Sequence, residues 1–600
     1  MAKQPTKAKD GPRLFEQQEQ ALDRRIRRQR ALFIPKYVKE AAANQQLSGT
    51  AQDKAYAIAV QWANLETTGN LAKHKETSID TQFLDQLFGE GLGYQLKTRS
   101  PADFHIEHKF SVPDVGTADA ALGDFPNAKS PTVVVELKDS QTDLDRDRSN
   151  GRTAVQQCWD YLNALPDCPW GIVSNFSTIR LYHRSKGTLN YEEFTLQELR
   201  NRDRFNEFYA LFERGGLITS ALEQPPRALA LLQKTEKRQK EVGDELYEQY
   251  QRRRLELIEH LNLEEGKDLD EAIRIAQKIL DRIIFIAFCE DRGLLPENSL
   301  AETKRDVRTY SRARNPAWES FLDFFTAIDK GAKIRGKQEI TAFNGGLFAD
   351  DPTINALDLE DEKWTNSFAG FGTFDFSEEV SVEVLGHLFE RSITELEKLR
   401  VGGLFALKAN IQNTNGHAAA KPAKGKGKSI KPSAEPEEPP LSKMPKSVQR
   451  KHFGIYYTPP AFTGLIVERT VDALVRDRFA ALAKQHKVDP EARENQDAKK
   501  LRAYWTACLD ILKALTICDP ACGSGAFLIR AYDALDAHYK TVVHGLGGAG
   551  LPTGDLAPIE DSIPDLILNH NLYGVDLSRE GVEITQLALW IRSARKGKTL

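Results

Sequence analysis

Residues 515–535 read LTICDPACGSGAFLIRAYDAL, an order typical of a β-strand, a tight turn and an α-helix. The apolar residues 515–518 predict a short buried strand, and the residues after Gly525 predict the helix. Gly523 and Gly525 permit a tight turn and a close approach of the backbone to a ligand. The helix N-terminus favours a carboxylate, and Asp519 at the strand end can meet an ammonium group. The segment therefore predicts a site for an amino-acid zwitterion rather than for a pyrophosphate.

A second predicted strand follows at residues 571–578, which read NLYGVDLS. Asp576 lies at its carboxyl end, where an acid can bind both hydroxyls of a ribose. An acid of this kind usually follows the glycine turn by about 20 residues. Here the spacing is longer, because residues 536–565 lie between the two predicted strands. We interpret these residues as an insertion that contains the loop GLGGAGLPTG.

Three segments carry a family resemblance. DPACGSGAFL (519–528) resembles motif I of the class I adenine-N6 DNA methyltransferases. HFGIYYTPP (452–460) is similar to their motif X, and GVDLSREGVEITQLALWI (574–591) is similar to motif II and the helix after it. The three segments stand in the family order, which argues against coincidence.

The resemblance implies an S-adenosyl-L-methionine site in a Rossmann-like fold. Cys518 and Cys522 beside the turn are predicted to be packed small residues rather than ligands or nucleophiles. The implied cofactor-binding residues are Tyr457, Thr458 and Pro459 over the methionine end, Asp519, Ala521, Gly523 and Gly525 in the turn, and Asp576 at the ribose.

The base-binding part of a methyltransferase is missing from the sequence. The family uses an NPPY-type motif that holds a flipped adenine at its amino group. The Asn315-Pro316 pair is followed by Ala-Trp in a predicted helical region, and we reject it. Leu600 follows soon after the motif II helix, so we expect this chain to be a fragment. The base-binding loop and a target-recognition region would then lie elsewhere, C-terminal or in a separate chain.

A second pair of strands carries acidic residues. VPDVGTADAAL contains Asp119, and TVVVELKD contains Glu136 and Lys138. Residues i and i+2 of a strand project from the same face, so Glu136 and Lys138 are predicted to project together. Carboxylates from different segments suit a hard divalent cation, which neutralises phosphate charge, while a lysine can orient the attacking water.

This arrangement resembles the PD-(D/E)xK nuclease fold, which implies Mg²⁺ held by Asp119 and Glu136. It implies Asp119, Glu136, Lys138 and Gln157 as catalytic residues. Gln157 and Tyr161 have the QxxxY spacing of the helix that follows the ExK strand in this superfamily.

Several of these assignments stay open. Asp114 competes with Asp119 for the first acid, and Gln156 competes with Gln157 for the side chain that faces the site. Glu76 stands where the fold often places another acid. Glu136 and Lys138 would alternatively form an exposed ion pair on an edge strand.

Composition is that of an ordinary globular protein. The 600 residues are 40% hydrophobic and 28% charged, with a net charge of −4. The six cysteines show neither zinc-ligand spacing nor a disulfide framework, which fits a reducing cytoplasm. The lysines of the first residues are not followed by an apolar stretch, and the sequence contains no apolar run of about 18 residues. We therefore predict no signal peptide and no membrane contact.

The predicted fold class is α/β multi-domain. ILDRIIFIAFCEDRGLLP (279–296), NGGLF (344–348) and VLGHLFERSITELE (384–397) resemble the helical connector of type IIG restriction–modification enzymes. The predicted domains are an N-terminal helical segment (1–55), a PD-(D/E)xK-like nuclease domain (56–200), a helical connector (201–411), a disordered linker (412–447) and the incomplete Rossmann-like methyltransferase core (448–600).

The resemblance implies double-stranded DNA as the partner and restriction–modification as the function. A Mg²⁺-dependent endonuclease would be coupled to site-specific adenine-N6 methylation. The alternative is a phage-defence adenine methyltransferase with a degenerate nuclease-like domain that only binds DNA. A DNA-repair or RNA-directed enzyme is a third possibility.

Overall fold

The computed structural model divides the chain into two compact units. The first contains Met1–Lys240, Ser377–Glu379 and Asp489–Asn495, and the second contains Glu241–Phe376, Val380–Val488 and Gln496–Leu600. The structure describes residues 31–44, 47–71, 76–125, 127–128, 130–145, 147–149, 152–188, 190–219, 225–307, 311–333, 339–340, 342, 346–376, 379–380, 458, 460–490, 497–577 and 579–593. The predicted linker 412–447 lies outside these residues, as do most of motif X and the first 30 residues.

The first unit is built on a mixed six-stranded sheet. Its strand order is β1-β2-β3-β6-β7-β8, with β3 and β6 parallel and every other neighbouring pair antiparallel. Two further short strands, β4 and β5, pair with each other. The strands are β1 Ile106–Val112, β2 Gly116–Leu122, β3 Val133–Leu137, β4 Arg148–Ser149, β5 Arg152–Thr153, β6 Trp170–Ser174, β7 Thr178–His183 and β8 Tyr191–Thr195.

Helices cover both faces of this sheet. Alternate side chains of β3 enter different cores, because Val133 and Val135 pack in one cluster and Val134 in the other. The predicted helix after the ExK strand is present as α4 and covers the Val134 face. The helices of this unit are α1 Pro35–Ala42, α2 Thr50–Thr67, α3 Glu76–Phe83, α4 Ala154–Ala164, α5 Arg202–Phe212, α6 Arg214–Leu217 and the start of α7 Arg227–Leu263.

The second unit begins with long helices that form its largest core. α7 continues into this unit, so residues 201–240 of the predicted connector belong to the first unit instead. Asp268 caps the next helix by accepting a hydrogen bond from the Glu271 N–H at 2.9 Å. Apolar residues recur at helical spacing along that helix and are buried, namely Ile273, Ala276, Leu280, Ile283 and Ala287. These helices are α8 Leu269–Asp291, α9 Ser299–Arg305, α10 Pro316–Lys330, α11 Pro352–Asn355 and α12 Asn366–Gly370.

The last part of the second unit surrounds two short parallel strands, β9 Ile517–Asp519 and β10 Leu572–Gly574. The predicted buried strand at residues 515–518 is wrong in its bounds and in its burial, because the strand is Ile517–Asp519 and both Thr516 and Cys518 are exposed. Among the described residues only β10 pairs with β9, so little packs over Cys518. The helices are α13 Pro460–Val467, α14 Ala473–His486, α15 Ala498–Ala514, α16 Ala526–Gly548, α17 Thr553–Asp561, α18 Ile563–Leu566 and α19 Arg579–Ser593.

Helix α19 joins two cores of this unit. Its Ile584 and Leu587 pack in the same cluster as α8, whereas its Leu589 packs in the cluster around β9 and α16. The pKa of Asp281 in α8 is raised to about 7, mainly because this carboxyl group is buried. The nearby carboxylate of Glu583 in α19 contributes to the same rise. The connector helices and the strand-turn-helix segment are therefore packed together by a single helix. None of the described helices is long and apolar enough to cross a membrane.

Helix α16 is longer than predicted, because the residues expected to open the insertion loop continue it to Gly548. A side chain cannot fit at Gly545, where a Cβ would lie 2.2 Å from the Trp505 ring atom Cε2. The glycine therefore lets α16 approach the Trp505 ring of α15, and this packing outweighs the low helix propensity of glycine.

We expect Gly545→Ala to lower the free energy of unfolding of the second unit by about 1–3 kcal/mol, because the added methyl group displaces the Trp505 ring. Gly548→Ala is the matched control. A Cβ there has no neighbouring atom within 4 Å, so alanine should be neutral or slightly stabilising. Urea unfolding followed by tryptophan fluorescence measures both changes. Equal stabilities of the two variants would contradict the packing role of Gly545.

Two candidate active sites

The first candidate site lies where the pairing of β2 with β3 stops, in the middle of β2 and near the end of β3. The last antiparallel pair is Ala120 with Val135, and the next residues are Asp119 and Glu136. Asp119 Oδ2 accepts a hydrogen bond from the N–H of Leu137, the residue after Glu136, so the two acids lie close to each other. Asp119 is 8% exposed and Glu136 is 3% exposed. The structure thus brings together the two acids that the sequence singled out.

Both acids have defined partners. Asp119 Oδ2 accepts a hydrogen bond from the Leu137 N–H at 2.7 Å, and Asp119 Oδ1 accepts one from Lys109 Nζ at 2.8 Å. Glu136 forms an ion pair with Lys138, and both of these side chains are largely buried. The i, i+2 spacing therefore does place Glu136 and Lys138 together, in a buried pair rather than an exposed one.

A third acid, Asp80 of α3, joins the cluster through Lys109. The distance from Lys109 Nζ to Asp80 Oδ2 is 3.0 Å, and the Asp80 side chain is 6% exposed. Burial opposes ionisation of Asp80, but hydrogen bonds from Lys109 and the Thr81 N–H outweigh it and lower the pKa of Asp80. Burial likewise opposes the charge on Lys109, yet Asp119 and Asp80 raise the pKa of Lys109.

Sequence reasoning named Glu76 as another acid and did not identify Asp80. Glu76 begins α3, and the structure does not describe its side chain. Asp80 stands one helical turn later, beside the buried Ile79. The amphipathic pattern of this segment could have indicated Asp80. Residues next to the apolar face of a helix are the ones that reach the sheet.

Tyr161 closes the site from α4. Its hydroxyl donates a hydrogen bond to the Thr117 carbonyl at 3.1 Å. Burial, and then the nearby charges of Glu136 and Asp119, raise the pKa of Tyr161. The tyrosine of the QxxxY pattern therefore lies beside both acids.

The two candidate glutamines do other things in this structure. Gln156 forms a capping box with Thr153 at the start of α4. Gln157 Nε2 donates to the Ser149 carbonyl at 3.2 Å. Asp114 is exposed in the turn between β1 and β2, whereas Asp119 is buried within β2. The geometry thus favours Asp119 over Asp114 and leaves the catalytic role of Gln157 as a prediction.

The carboxylate oxygens at this site are the kind of ligand that Mg²⁺ prefers. Mg²⁺ is bound through one or two carboxylates and several waters rather than by an all-protein cage. Asp119 and Glu136 supply those hard oxygen ligands. Within the described residues, no group of three His, Cys, Asp or Glu side chains is arranged to hold a metal ion. The Lys109 ammonium group donates a hydrogen bond to one of the Asp119 oxygens.

The second candidate site lies at the carboxyl ends of the parallel strands β9 and β10. Backbone hydrogen bonds carry the pairing past the strands: the Val575 N–H donates to the Asp519 carbonyl, and the Cys522 N–H donates to the Val575 carbonyl, each at 2.9 Å. Asp576 Oδ2 accepts a hydrogen bond from the Gly523 N–H at 2.9 Å. The predicted cofactor acids thus stand on either side of the glycine turn.

The turn needs both of its glycines. Gly523 has φ +53° and Gly525 has φ +83°, in the left-handed region that favours glycine. A Cβ on Gly525 would lie 2.9 Å from Thr585 Cγ2, whereas a Cβ on Gly523 would meet no atom within 4 Å. The backbone at Gly523 is therefore open to close approach by a ligand.

Asp519 has an acceptor available for that ligand. Its Oδ1 accepts a hydrogen bond from the Ala521 N–H at 3.1 Å. Its Oδ2 is buried and meets no hydrogen-bond donor among the described residues. Such an oxygen suits the ammonium group of the methionine end of S-adenosyl-L-methionine. Thr458 is half-buried, and Tyr457 and Pro459 lie outside the described residues.

Thr585 of α19 is a residue that sequence reasoning missed. Its hydroxyl donates a hydrogen bond to the Gly523 carbonyl at 2.7 Å, and the residue is 4% exposed. No local pattern distinguishes this threonine, because it reaches the turn across 62 residues of sequence. It is a positioning residue for the turn.

We expect Thr585→Val to lower the stability of the second unit by about 1–3 kcal/mol, because it leaves the Gly523 carbonyl without its donor. Thr585→Ser keeps the hydroxyl and should recover most of the loss. Thr506→Val is the control, since the exposed Thr506 bonds only within its own helix. Hydrogen exchange of the turn peptide should accelerate in Thr585→Val alone. Unchanged exchange there would contradict the positioning role.

Two family models and one curated relative match parts of this chain. The family model described as the MmeI N-terminal domain matches residues 16–215, and the model described as the MmeI DNA-methyltransferase domain matches residues 492–599. A protein of Methanocaldococcus jannaschii named as a type II restriction enzyme and methyltransferase is 26% identical over 348 residues. That match covers 53% of this chain and 25% of the relative, so the chain spans about a quarter of the curated relative's length.

Two solved structures show weak similarity. The type IIL restriction–modification enzyme MmeI in complex with DNA has 16% identity and a TM-score of 0.32, covering 58% of this chain and 36% of that one. The DrdV–DNA complex has 12% identity and a TM-score of 0.23, covering 90% and 40%. The two matched domains together span just over half of the sequence. The matches to two domains of MmeI and to the restriction enzyme and methyltransferase mark this chain as a type IIG-like restriction–modification protein.

Proposed function

We propose that the first unit is a Mg²⁺-dependent DNA endonuclease and that the end of the second unit binds S-adenosyl-L-methionine for adenine-N6 methylation of DNA. The observation that carries the proposal is the buried cluster of Asp119, Glu136 and Lys138 at the point where the pairing of β2 with β3 stops. Membership of a restriction–modification family supports DNA as the substrate and a cytoplasmic location.

In the proposed nuclease, Asp119 and Glu136 would hold Mg²⁺, which when bound would neutralise phosphate charge and increase the acidity of water. Lys138 is held beside Glu136 and orients the attacking water. Tyr161 fills the space next to both acids and fixes the β2 strand through Thr117. The site thus combines two carboxylates proposed to bind the metal ion with the ammonium group of Lys138, beside the Lys109 ammonium group that contacts Asp119.

In the proposed methyltransferase part, the Asp519 carboxylate binds the ammonium of the methyl donor. The glycine turn allows the backbone to approach the ligand, and Asp576 binds the ribose with the carboxylate that also accepts from Gly523. The start of α16 offers N–H groups to the ligand carboxylate. The cofactor supplies the methyl group, and the protein residues bind and orient it.

The nuclease proposal predicts that Glu136→Gln lowers Mg²⁺-dependent cleavage of plasmid DNA by the full-length protein at least about 100-fold, because a metal ligand is neutralised. Lys138→Ala should lower it by about 10²–10⁴-fold. Glu107→Gln is the control, since this acid forms an ion pair with Lys97 outside the cluster. If the wild type does not cleave with Mg²⁺, with or without S-adenosyl-L-methionine, the alternative of a nuclease-like domain that only binds DNA is favoured.

The cofactor proposal predicts that Asp519→Asn weakens S-adenosyl-L-methionine binding by about 10- to 100-fold, because a charge-assisted hydrogen bond to the ammonium is lost. Isothermal titration calorimetry on the full-length protein measures the change. Asp510→Asn, on the exposed face of α15, should leave the affinity unaltered. Equal affinities for wild type and Asp519→Asn would remove the basis of the assignment.

A further inference from the structure

Lys109 lies between two buried carboxylates in the first unit. Its Nζ atom is 2.8 Å from Asp119 Oδ1 and 3.0 Å from Asp80 Oδ2. The lysine side chain is 52% exposed, whereas the side chains of Asp119 and Asp80 are only 10% and 6% exposed. The ammonium group therefore enters the acidic cluster from the solvent side and compensates two charges that would otherwise repel each other.

Both oxygens of Asp119 are occupied in this arrangement. Oδ2 accepts from the Leu137 N–H, which is fixed at the end of β3, and Oδ1 accepts from Lys109. A cation can reach Asp119 Oδ1 fully only after the lysine withdraws. The lysine is the partner able to withdraw, because its ammonium is carried on a flexible four-carbon stem that already reaches solvent.

The backbone at Lys109 supports a specialised role. Lys109 has φ +50°, in the left-handed region that residues other than glycine rarely adopt, although it lies within β1. Its neighbours His108 and Phe110 keep regular pairs with Ala120 and Ala118 on β2. Strained residues of this kind persist where their surroundings hold them, and they cluster at functional sites.

We propose that Lys109 is a built-in counter-ion of the nuclease site, which holds Asp80 and Asp119 together in the metal-free protein and leaves Asp119 when a divalent cation binds. The inference rests on the proposed nuclease function and adds to it a residue that competes with the metal ion. It also gives Asp80 a role, as the second carboxylate that holds Lys109 in the cluster.

The neighbouring pair of Lys97 and Glu107 provides a matched comparison. Lys97 is also 52% exposed, and its Nζ atom lies 2.6 Å from Glu107 Oε1. This lysine contacts a single, more exposed carboxylate outside the cluster. Removing its charge changes the local net charge by the same amount without opening the proposed metal position.

The test is the affinity of the full-length protein for Mn²⁺ alone, measured by calorimetry and by the Mn²⁺ paramagnetic resonance signal. We expect Lys109→Gln to bind Mn²⁺ about tenfold more tightly than the wild type, since no ammonium competes for Asp119 (tenfold corresponds to about 1.4 kcal/mol). Its thermal midpoint without metal should fall, and Mn²⁺ should raise it by more than in the wild type. Lys97→Gln should match the wild type in both measurements.

The outcomes separate this inference from the proposed function. Equal Mn²⁺ affinity in wild type and Lys109→Gln, abolished by Glu136→Gln, overturns the counter-ion role and leaves the metal site standing. Absence of Mn²⁺ binding in all of these proteins overturns both. If Lys109→Gln does not fold, Lys109→Arg retains the charge and should bind Mn²⁺ no more tightly than the wild type. Tighter binding by Lys109→Arg would contradict the role.

Discussion

Both candidate sites depend on one constraint, which is that a backbone N–H group without a partner on a neighbouring strand needs another acceptor. In each site a carboxylate supplies it. The Leu137 N–H donates to Asp119, the Ala521 N–H to Asp519 and the Gly523 N–H to Asp576. These bonds fix acidic side chains where regular pairing stops, and the positions of the other site residues follow from them.

Burial of those carboxylates has an electrostatic consequence. An ionised group removed from water needs a counter-charge or several hydrogen-bond donors. In the first unit Lys138 and Lys109 provide the counter-charges for Glu136, Asp119 and Asp80. In the second unit the donors are backbone N–H groups, and Asp519 Oδ2 keeps a buried acceptor for a bound group. The two sites thus stabilise negative charge by different means, which suits a metal ion in one and an amino-acid zwitterion in the other.

Sequence periodicity predicted the mixed α/β, multi-domain architecture, and the structure and the family match confirm it at that level. The pairing of Glu136 with Lys138 follows from the two-residue period of a strand, which is a local property. The sequence did not single out Asp80, because a pattern predicts the existence of a helix more accurately than which of its residues reach a neighbouring sheet. Cys518, the length of α16 and the role of Thr585 depend on contacts with distant residues. No local pattern encodes those contacts.

Helix α19 has a consequence for how this protein is divided into parts. Within about one turn it places Thr585 against the glycine turn and Ile584 and Leu587 in the connector core. A fragment that begins at the predicted boundary of the methyltransferase core would therefore expose the apolar face of α19, the helix that positions the glycine turn. The smallest autonomous module around this turn has to include the connector helices, and swapping that module between relatives has to carry them along.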